Sequence, residues 1–286
     1  MTSRVLADDE YGLVTEALVR MAGLVFDASR RGAISAIVTE RMNTTKHPTV
    51  DSYLAFVESA LGVNERQQLL DAVTIQETHF FRNLPQIDAL RRDVLPDLLR
   101  RNRATGRPLT IWSAGCSTGE EPYTIAITAM QAFNSKTPPV RILATDIDTN
   151  VLETARRGTY SSESVSAVDP EILRRYFLRG AGANEGSVKV RPEVAALVSF
   201  RRLNLLDQSW QLRGGFTALF CRNVMIYFDK ETQYSIIHRM APLLETGGLL
   251  FAGHSENFSD ARDLLRLRGR TIYERLAGEV SARRPG

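Results

Sequence analysis

From Leu109 onward, short apolar runs alternate with helical patterns, and this alternation limits the possible folds more than any other feature of the chain. "LTIWSA" reads as a strand and "EEPYTIAITAMQAF" as the helix after it, and "VRILATDID" with "TNVLETARRG", closed by Gly158, repeats the unit. "LVSFRRLNL" and "FTALFCRNV" supply two more strands. "DKETQYSIIHRMAPLLETGG" is expected to be a helix capped by Asp229 and ended by Gly247, followed by the strand "LLFAGH" and a last strand near "RTIYERL". Strands joined through helices pair in parallel under a helical layer on each face, so residues 109–276 are expected to form a doubly wound, Rossmann-like α/β domain. Between the second and third strands, Gly180, Gly182 and Gly186 flank short alternating runs, which predicts a small antiparallel β insertion at about 170–197.

The first part of the chain follows another rule. Leu13, Leu18, Met21, Leu24 and Val25 recur at helical spacing, so residues 1–84 are expected to form a small helical domain. Residues 85–108 read as a linker, with the helix "QIDALRRDVLPDLLRR" bent at Pro96 and a polar turn from Asn102 to Pro108. The tail, 277–286, is expected to be disordered. With 43% hydrophobic and 24% charged residues the chain is an ordinary globular protein. Neither a signal-like apolar region nor a membrane-length apolar window occurs, so a cytoplasmic protein without membrane insertion is expected. Cys116 and Cys221 end apolar runs and read as reduced thiols. His47, His79, His238 and His254 lack ligand spacing, so no metal is expected. A net charge of +3 without a basic stripe does not suggest nucleic acid.

The turn after the first strand raises the functional question. Gly115 and Gly119 lie where a dinucleotide fold cradles phosphate, yet the helix then opens with Glu120 and Glu121. Carboxylates there repel a pyrophosphate, which argues against NAD. S-adenosylmethionine has no phosphate and carries a sulfonium and an ammonium, so it matches a glycine turn backed by carboxylates. The same glutamates also complement the helix macrodipole, and the loop alone does not separate the two readings. The other strand ends favour a ligand, because small molecules lie beyond the carboxyl ends of such strands. Asp146 stands where an acidic side chain accepts from ribose hydroxyls, with Asp148 the less favoured neighbour. Asn204 and Leu205 follow the third strand, placed to offer an amide and a backbone group to adenine, and Arg222 and Asn223 follow the fourth, facing the reactive end.

Taken together, "TIQETHFFR", "WSAGCSTGEEPYTIAI", "ATDIDTNVLETARRGTY", "CRNVMIYFD" and "LLFAGHSENF" closely resemble the CheR-type chemotaxis receptor methyltransferases, over about residues 12–276. The resemblance implies transfer of a methyl group from S-adenosylmethionine to the γ-carboxylate of glutamates on the cytoplasmic helices of chemoreceptors, leaving S-adenosylhomocysteine. It implies that Gln76, Thr78 and Arg82 reach across from the helical domain to the cofactor. The family usually has Asn at the position of Gln76. Glu120 or Glu121 is then expected to hold the methionine end, Asp146 the ribose, and Asn204 with Leu205 the adenine, while Arg222 and Asn223 complete the pocket.

No residue in these motifs reads as a positioned general base, and the acceptor accounts for that. A glutamate with a pKa of about 4.3 is already ionised near neutral pH. Direct in-line displacement at the methyl carbon is therefore expected, with Arg82 and Tyr227 at the reaction centre. The receptor helices are expected to dock on cationic N-terminal helices, where Arg30 and Arg41 lie three turns apart on one side. The β insertion resembles the form that binds a C-terminal receptor pentapeptide by strand addition. A monomer is expected. The competing readings are a methyltransferase for another acceptor and a non-catalytic S-adenosylmethionine sensor or adaptor.

Overall fold

The computed structural model describes residues 5–26, 28–74, 77–102, 106–254 and 256–277. Four helices come first: α1 (Asp8–Ala22), α2 (Arg31–Thr45), α3 (Val50–Glu58) and α4 (Val63–Val73). Apolar residues at helical spacing, among them Val14 and Leu18, Ile34 and Val38, Tyr53 and Val57, and Leu69 and Val73, close on one another in a common core. α1 carries Asp8, Asp9 and Glu10 in its first turn and ends at Gly23 in the left-handed region (φ 67°). A Cβ at Gly23 would meet Leu206 Cδ1 at 2.7 Å, so a glycine there lets the helix end abut the α/β domain.

Arg41, expected on a docking surface, instead turns inward. It forms a two-pronged ion pair with Glu65, whose Oε1 also accepts from Tyr53 Oη at 2.8 Å. Glu65 is only 8% exposed, and a carboxylate buried that deeply needs a cation beside it.

The linker contains α5 (Leu84–Ala89), a π turn (Leu90–Val94) and α6 (Leu95–Asn102). A π turn stands where the sequence predicts a bend, just before Pro96: the wider turn accommodates a residue that has no N–H to donate. The α/β part then runs β1 (Leu109–Ala114), α7 (Glu120–Ala132), β2 (Val140–Asp146), α8 (Thr149–Arg157), β3 (Thr159–Ser161), α9 (Pro170–Tyr176), β4 (Phe177–Arg179) and β5 (Ser187–Val190). It continues with α10 (Pro192–Ala195), β6 (Val198–Arg202), β7 (Phe216–Cys221), α11 (Lys230–Met240), β8 (Leu244–Ala252), β9 (Leu265–Gly269) and β10 (Ile272–Arg275).

Seven strands form the main sheet in the order β6-β2-β1-β7-β8-β10-β9, and all run in one direction except β10, which is antiparallel to both its neighbours, β8 and β9. The order runs outward in one direction from β1 and in the other from β7. The crevice between those two strands is therefore the switch point, where a ligand site is expected. Register levels the strand ends there, with Ala114 opposite both Thr145 and Cys221. β3, β5 and β4 make a separate antiparallel sheet. Its first strand starts at Thr159, upstream of the span expected for the insertion.

Three details differ from the sequence reading. α11 stops at Met240, because Pro242 cannot continue the hydrogen-bond ladder, and a 3₁₀ turn leads straight into β8. Gly247, expected to end the helix, lies inside β8 with φ 76°, where the pairing with β7 shifts register in a bulge. β9 was not foreseen, and its hairpin to β10 turns through Gly269, Arg270 and Thr271, all at positive φ.

The helical part is stitched to the sheet by polar contacts. Gln67 Nε2 donates to the carbonyl of Ile147 at 2.8 Å, and Gln67 Oε1 accepts from Arg202 Nε at 2.6 Å. Asp71 Oδ2 accepts from Thr149 Oγ1 at 2.8 Å, and Thr74 Oγ1 donates to Asp148, which caps α8 through Asn150 N and Val151 N. These contacts fix α4 and Thr74 against the sheet.

Candidate active site

The glycine turn is folded back over the end of β2. Gly115 N and Cys116 N both donate to the carbonyl of Thr145, at 2.8 and 2.9 Å, and Ser117 N donates to Asp146 Oδ2 at 2.8 Å. Gly115 has φ 73°, and a Cβ there would meet Val224 Cγ2 at 2.2 Å. The loop after β7 therefore packs on the bare glycine backbone, which only glycine allows. Gly119 caps α7 in the left-handed region, and the Tyr160 hydroxyl holds the turn by donating to the carbonyl of Thr118 at 2.8 Å.

The two glutamates that open α7 have different surroundings. Glu120 is buried and its Oε2 accepts from Thr118 Oγ1 at 2.7 Å, but it is not among the residues lining the cleft. Glu121 does line it. Its Oε1 accepts from Ser113 Oγ at 2.8 Å and its Oε2 from Arg222 Nη1 at 3.0 Å. Burial pushes the carboxyl of Glu121 up, and the Arg222 guanidinium opposes that shift. Burial also pushes Asp146 up, to about 6, against the backbone N–H groups of Asp148 and Ser117 that favour its charge.

Arg222 bridges two segments, since its Nη2 donates to the carbonyl of Arg82 at 2.8 Å while its Nη1 holds Glu121. Arg222 Nε is buried with no partner among the described residues. The Arg82 segment is strained on both sides: Phe81 and Asn83 have φ of 57° and 66°. Such conformations cost about 1–3 kcal/mol each and persist where the surroundings dictate them. Here Phe81 N donates to Thr124 Oγ1 at 3.0 Å, and the Phe80 ring packs edge-on against Tyr160 and Phe177 of the small sheet at 4.9 and 5.2 Å. Arg82 Nη1 donates to the carbonyl of Glu77 at 2.8 Å.

A cleft open to solvent at its mouth lies over these elements. Thr78, Arg82, Gly115 and Glu121 line it, and so does Asp146 at the end of β2. Asn204, Leu205, Arg222, Asn223 and Tyr227 line it from the loops after β6 and β7. Gln76 lies outside the described residues. Asn204 has a structural duty as well, with its Nδ2 donating to the carbonyl of Met21 at 3.2 Å and its Oδ1 accepting from Leu206 N at 3.0 Å. Tyr227 sits at the end of a short 3₁₀ turn, its carbonyl accepting from Val25 N at 2.9 Å. Burial pushes the Tyr227 phenol up, so it keeps its proton at neutral pH.

Sequence reasoning missed part of the wall. Ala22, Leu24 and Phe26, at and just beyond the end of α1, line the cleft, as do Thr124 of α7 and His79. Only the helical spacing of the α1 residues was visible in the sequence, and that spacing reports a core and not a ligand. Cys116 and Cys221 are both free and buried, and Cys116 lines the cleft.

The chain is similar to known proteins over nearly its whole length. Residues 76–273 match the model of the CheR methyltransferase, SAM binding domain. A chemotaxis protein methyltransferase 2 of Pseudomonas aeruginosa is 42% identical, over 93% of this chain and 92% of that protein. Chemotaxis protein methyltransferases of Klebsiella aerogenes and Escherichia coli are 42% and 40% identical, over 94% and 96% of this chain and 90% and 93% of theirs. A cleft at the switch point, walled by a glycine turn and buried carboxylates, and a family match that spans it, lead to one assignment: the chain belongs to the CheR family of S-adenosylmethionine-dependent methyltransferases.

Proposed function

We propose that this enzyme methylates glutamate side chains on the cytoplasmic helices of chemoreceptors, forming glutamyl methyl esters in chemotactic adaptation, and that it works in the cytoplasm. The observation that carries this reading is the placement of Arg82 and a protonated Tyr227 in the same cleft as Glu121 and Asp146. The residues suit the cofactor. Asp146 offers acceptors to a ribose diol, Glu121 an anion to the ammonium, and Arg222 Nε an unused donor to the carboxylate of the methionine end. Asn204 and Leu205 face the adenine, and Thr78, Gly115 and Asn223 close the pocket. We assign the methionine end to Glu121 and not to Glu120, which turns to Thr118.

When bound, S-adenosylmethionine supplies a methyl carbon that an oxygen of the acceptor carboxylate attacks in line, with S-adenosylhomocysteine as the leaving group. Because the acceptor is already an anion, the chain has no proton to remove. Arg82 orients the carboxylate with its remaining N–H groups, and Tyr227 donates a hydrogen bond at the reaction centre. Bound cofactor and acceptor displace water from the cleft, which strengthens both effects.

The receptor helix is read as docking on the N-terminal helices near Arg30, and β3 and β4 are the edges of the small sheet available to an added strand from a receptor pentapeptide. Methylation of receptor signalling fragments with and without that peptide tests the tether. Equal rates at low receptor concentration would remove it. Location of the methyl group on glutamate by mass spectrometry tests the acceptor, and a modified lysine or asparagine would refute it.

A further inference from the structure

Glu256 lies between β8 and β9, in the stretch "GHSENF", and is 5% exposed. It does not line the cleft, yet it is tied to the loop that does. Its Oε2 accepts from Asn223 N at 3.0 Å and from Gly253 N, and its Oε1 accepts from Val224 N at 2.9 Å and Met225 N at 2.8 Å. Four inward-pointing N–H groups match an ionised carboxylate, which offers two acceptor oxygens and no donor.

Three of those amides are consecutive, and turning them all onto one carboxylate bends the chain. Asn223 adopts φ 60°, and the 3₁₀ turn Met225–Tyr227 follows at once. The bend seats Val224 over Gly115 and sends Asn223, Ile226 and Tyr227 into the cleft wall. The other side of the cradle is equally specific. A Cβ at Gly253 would meet Glu256 Oε2 at 2.6 Å and Asn223 N at 2.9 Å, so position 253 must be bare.

We propose that Glu256 is a positioning residue for methyl transfer: its carboxylate sets the backbone of the loop that carries Tyr227 to the reaction centre, without touching cofactor or acceptor. The inference rests on the reading of Tyr227 as a reaction-centre residue.

The test is a double-mutant cycle on the full-length enzyme with Glu256→Gln and Tyr227→Phe, reading kcat with a receptor fragment and the affinity for S-adenosylhomocysteine by calorimetry. Glutamine turns an NH₂ toward two of the amides, so the loop shifts. A shift on the order of 1 Å lowers kcat roughly 100-fold. Affinity for S-adenosylhomocysteine falls by much less than kcat, since the same loop brings Asn223 to the cofactor pocket while the Tyr227 interaction is felt only in the transition state. Adding Tyr227→Phe to Glu256→Gln costs little more, because residues acting through one another are not additive.

Unchanged kcat in Glu256→Gln, losses that multiply in the double variant, or affinity falling in parallel with kcat would each overturn the assignment. Wild-type turnover in Tyr227→Phe alone would overturn it by removing its premise. The acceptor reading fails separately, if the wild-type enzyme forms no methyl ester. Should Glu256→Gln not fold, Gly253→Ala displaces the same carboxylate from the other side, and its kcat and affinity are read by the same criteria.

Discussion

Affinity for the cofactor product should depend on pH through Asp146. The carboxyl is pushed up to about 6, first by burial, against the backbone N–H groups that favour its charge. Each of its oxygens already accepts one backbone bond, Oδ1 from Asp148 N and Oδ2 from Ser117 N. What remains for a ribose diol is one further lone pair per oxygen, and both are available only in the ionised form. If only that form binds, affinity scales as the ionised fraction, roughly 0.9 at pH 7 and 0.1 at pH 5. S-adenosylhomocysteine should therefore bind about tenfold more weakly at pH 5, a difference of about 1.4 kcal/mol.

The sign for stability follows from the same shift. A carboxyl whose folded pKa is raised binds its proton more tightly when folded, so the ligand-free protein loses stability as pH rises from about 4 to about 6. That loss is on the order of 3 kcal/mol, and bound ligand offsets it at neutral pH. Calorimetry across pH 4–8 on the wild type and on Asp146→Asn reads both. A flat wild-type profile, or the same slope retained in Asp146→Asn, would refute the reasoning.

Other substitutions test the remaining walls of the site. Arg222→Met strands Glu121 as a buried unpaired carboxylate and should cost about 3–5 kcal/mol in denaturant unfolding. Restoration of that stability by adding Glu121→Gln would confirm the pairing, and no initial loss would dismiss it. Gly115→Ala places a Cβ 2.2 Å from Val224 at a positive φ, and should abolish measurable S-adenosylhomocysteine binding while the far-ultraviolet circular dichroism is retained. Arg82→Lys and Tyr227→Phe should each lower turnover more than cofactor affinity, and a variant with unchanged turnover has no part in the chemistry. Arg41→Ala should cost on the order of 3 kcal/mol by exposing Glu65 to an unpaired state, with no change in KM for receptor once folded. A raised receptor KM at full stability would return Arg41 to the docking surface.

Much of this was legible in the sequence because the signals are local. The alternation after Leu109 reports strands and helices through side-chain period, and the residues after each apolar run are at strand ends by definition of the fold. Gly115 was legible because close approach leaves no room for a side chain. What stayed hidden depends on distant partners. The end of α1 enters the cleft only because Gly23 lets it abut Leu206, and Arg41 turns inward only because Glu65 is buried behind it. Glu120 and Glu121 are adjacent and identical in type, so only the positions of Thr118 and Arg222 tell them apart. Glu256 escaped notice since its partners are backbone amides, which no residue code displays.

The proposed function stands or falls on a carboxylate acceptor. Labelled methyl from S-adenosylmethionine, transferred by the purified enzyme to a receptor signalling-domain fragment and then exposed to mild base, tests it most directly. Label on the receptor that mild base releases as methanol is expected, as a glutamyl methyl ester requires. Label that survives base, or none on the receptor while the cofactor binds, would contradict it.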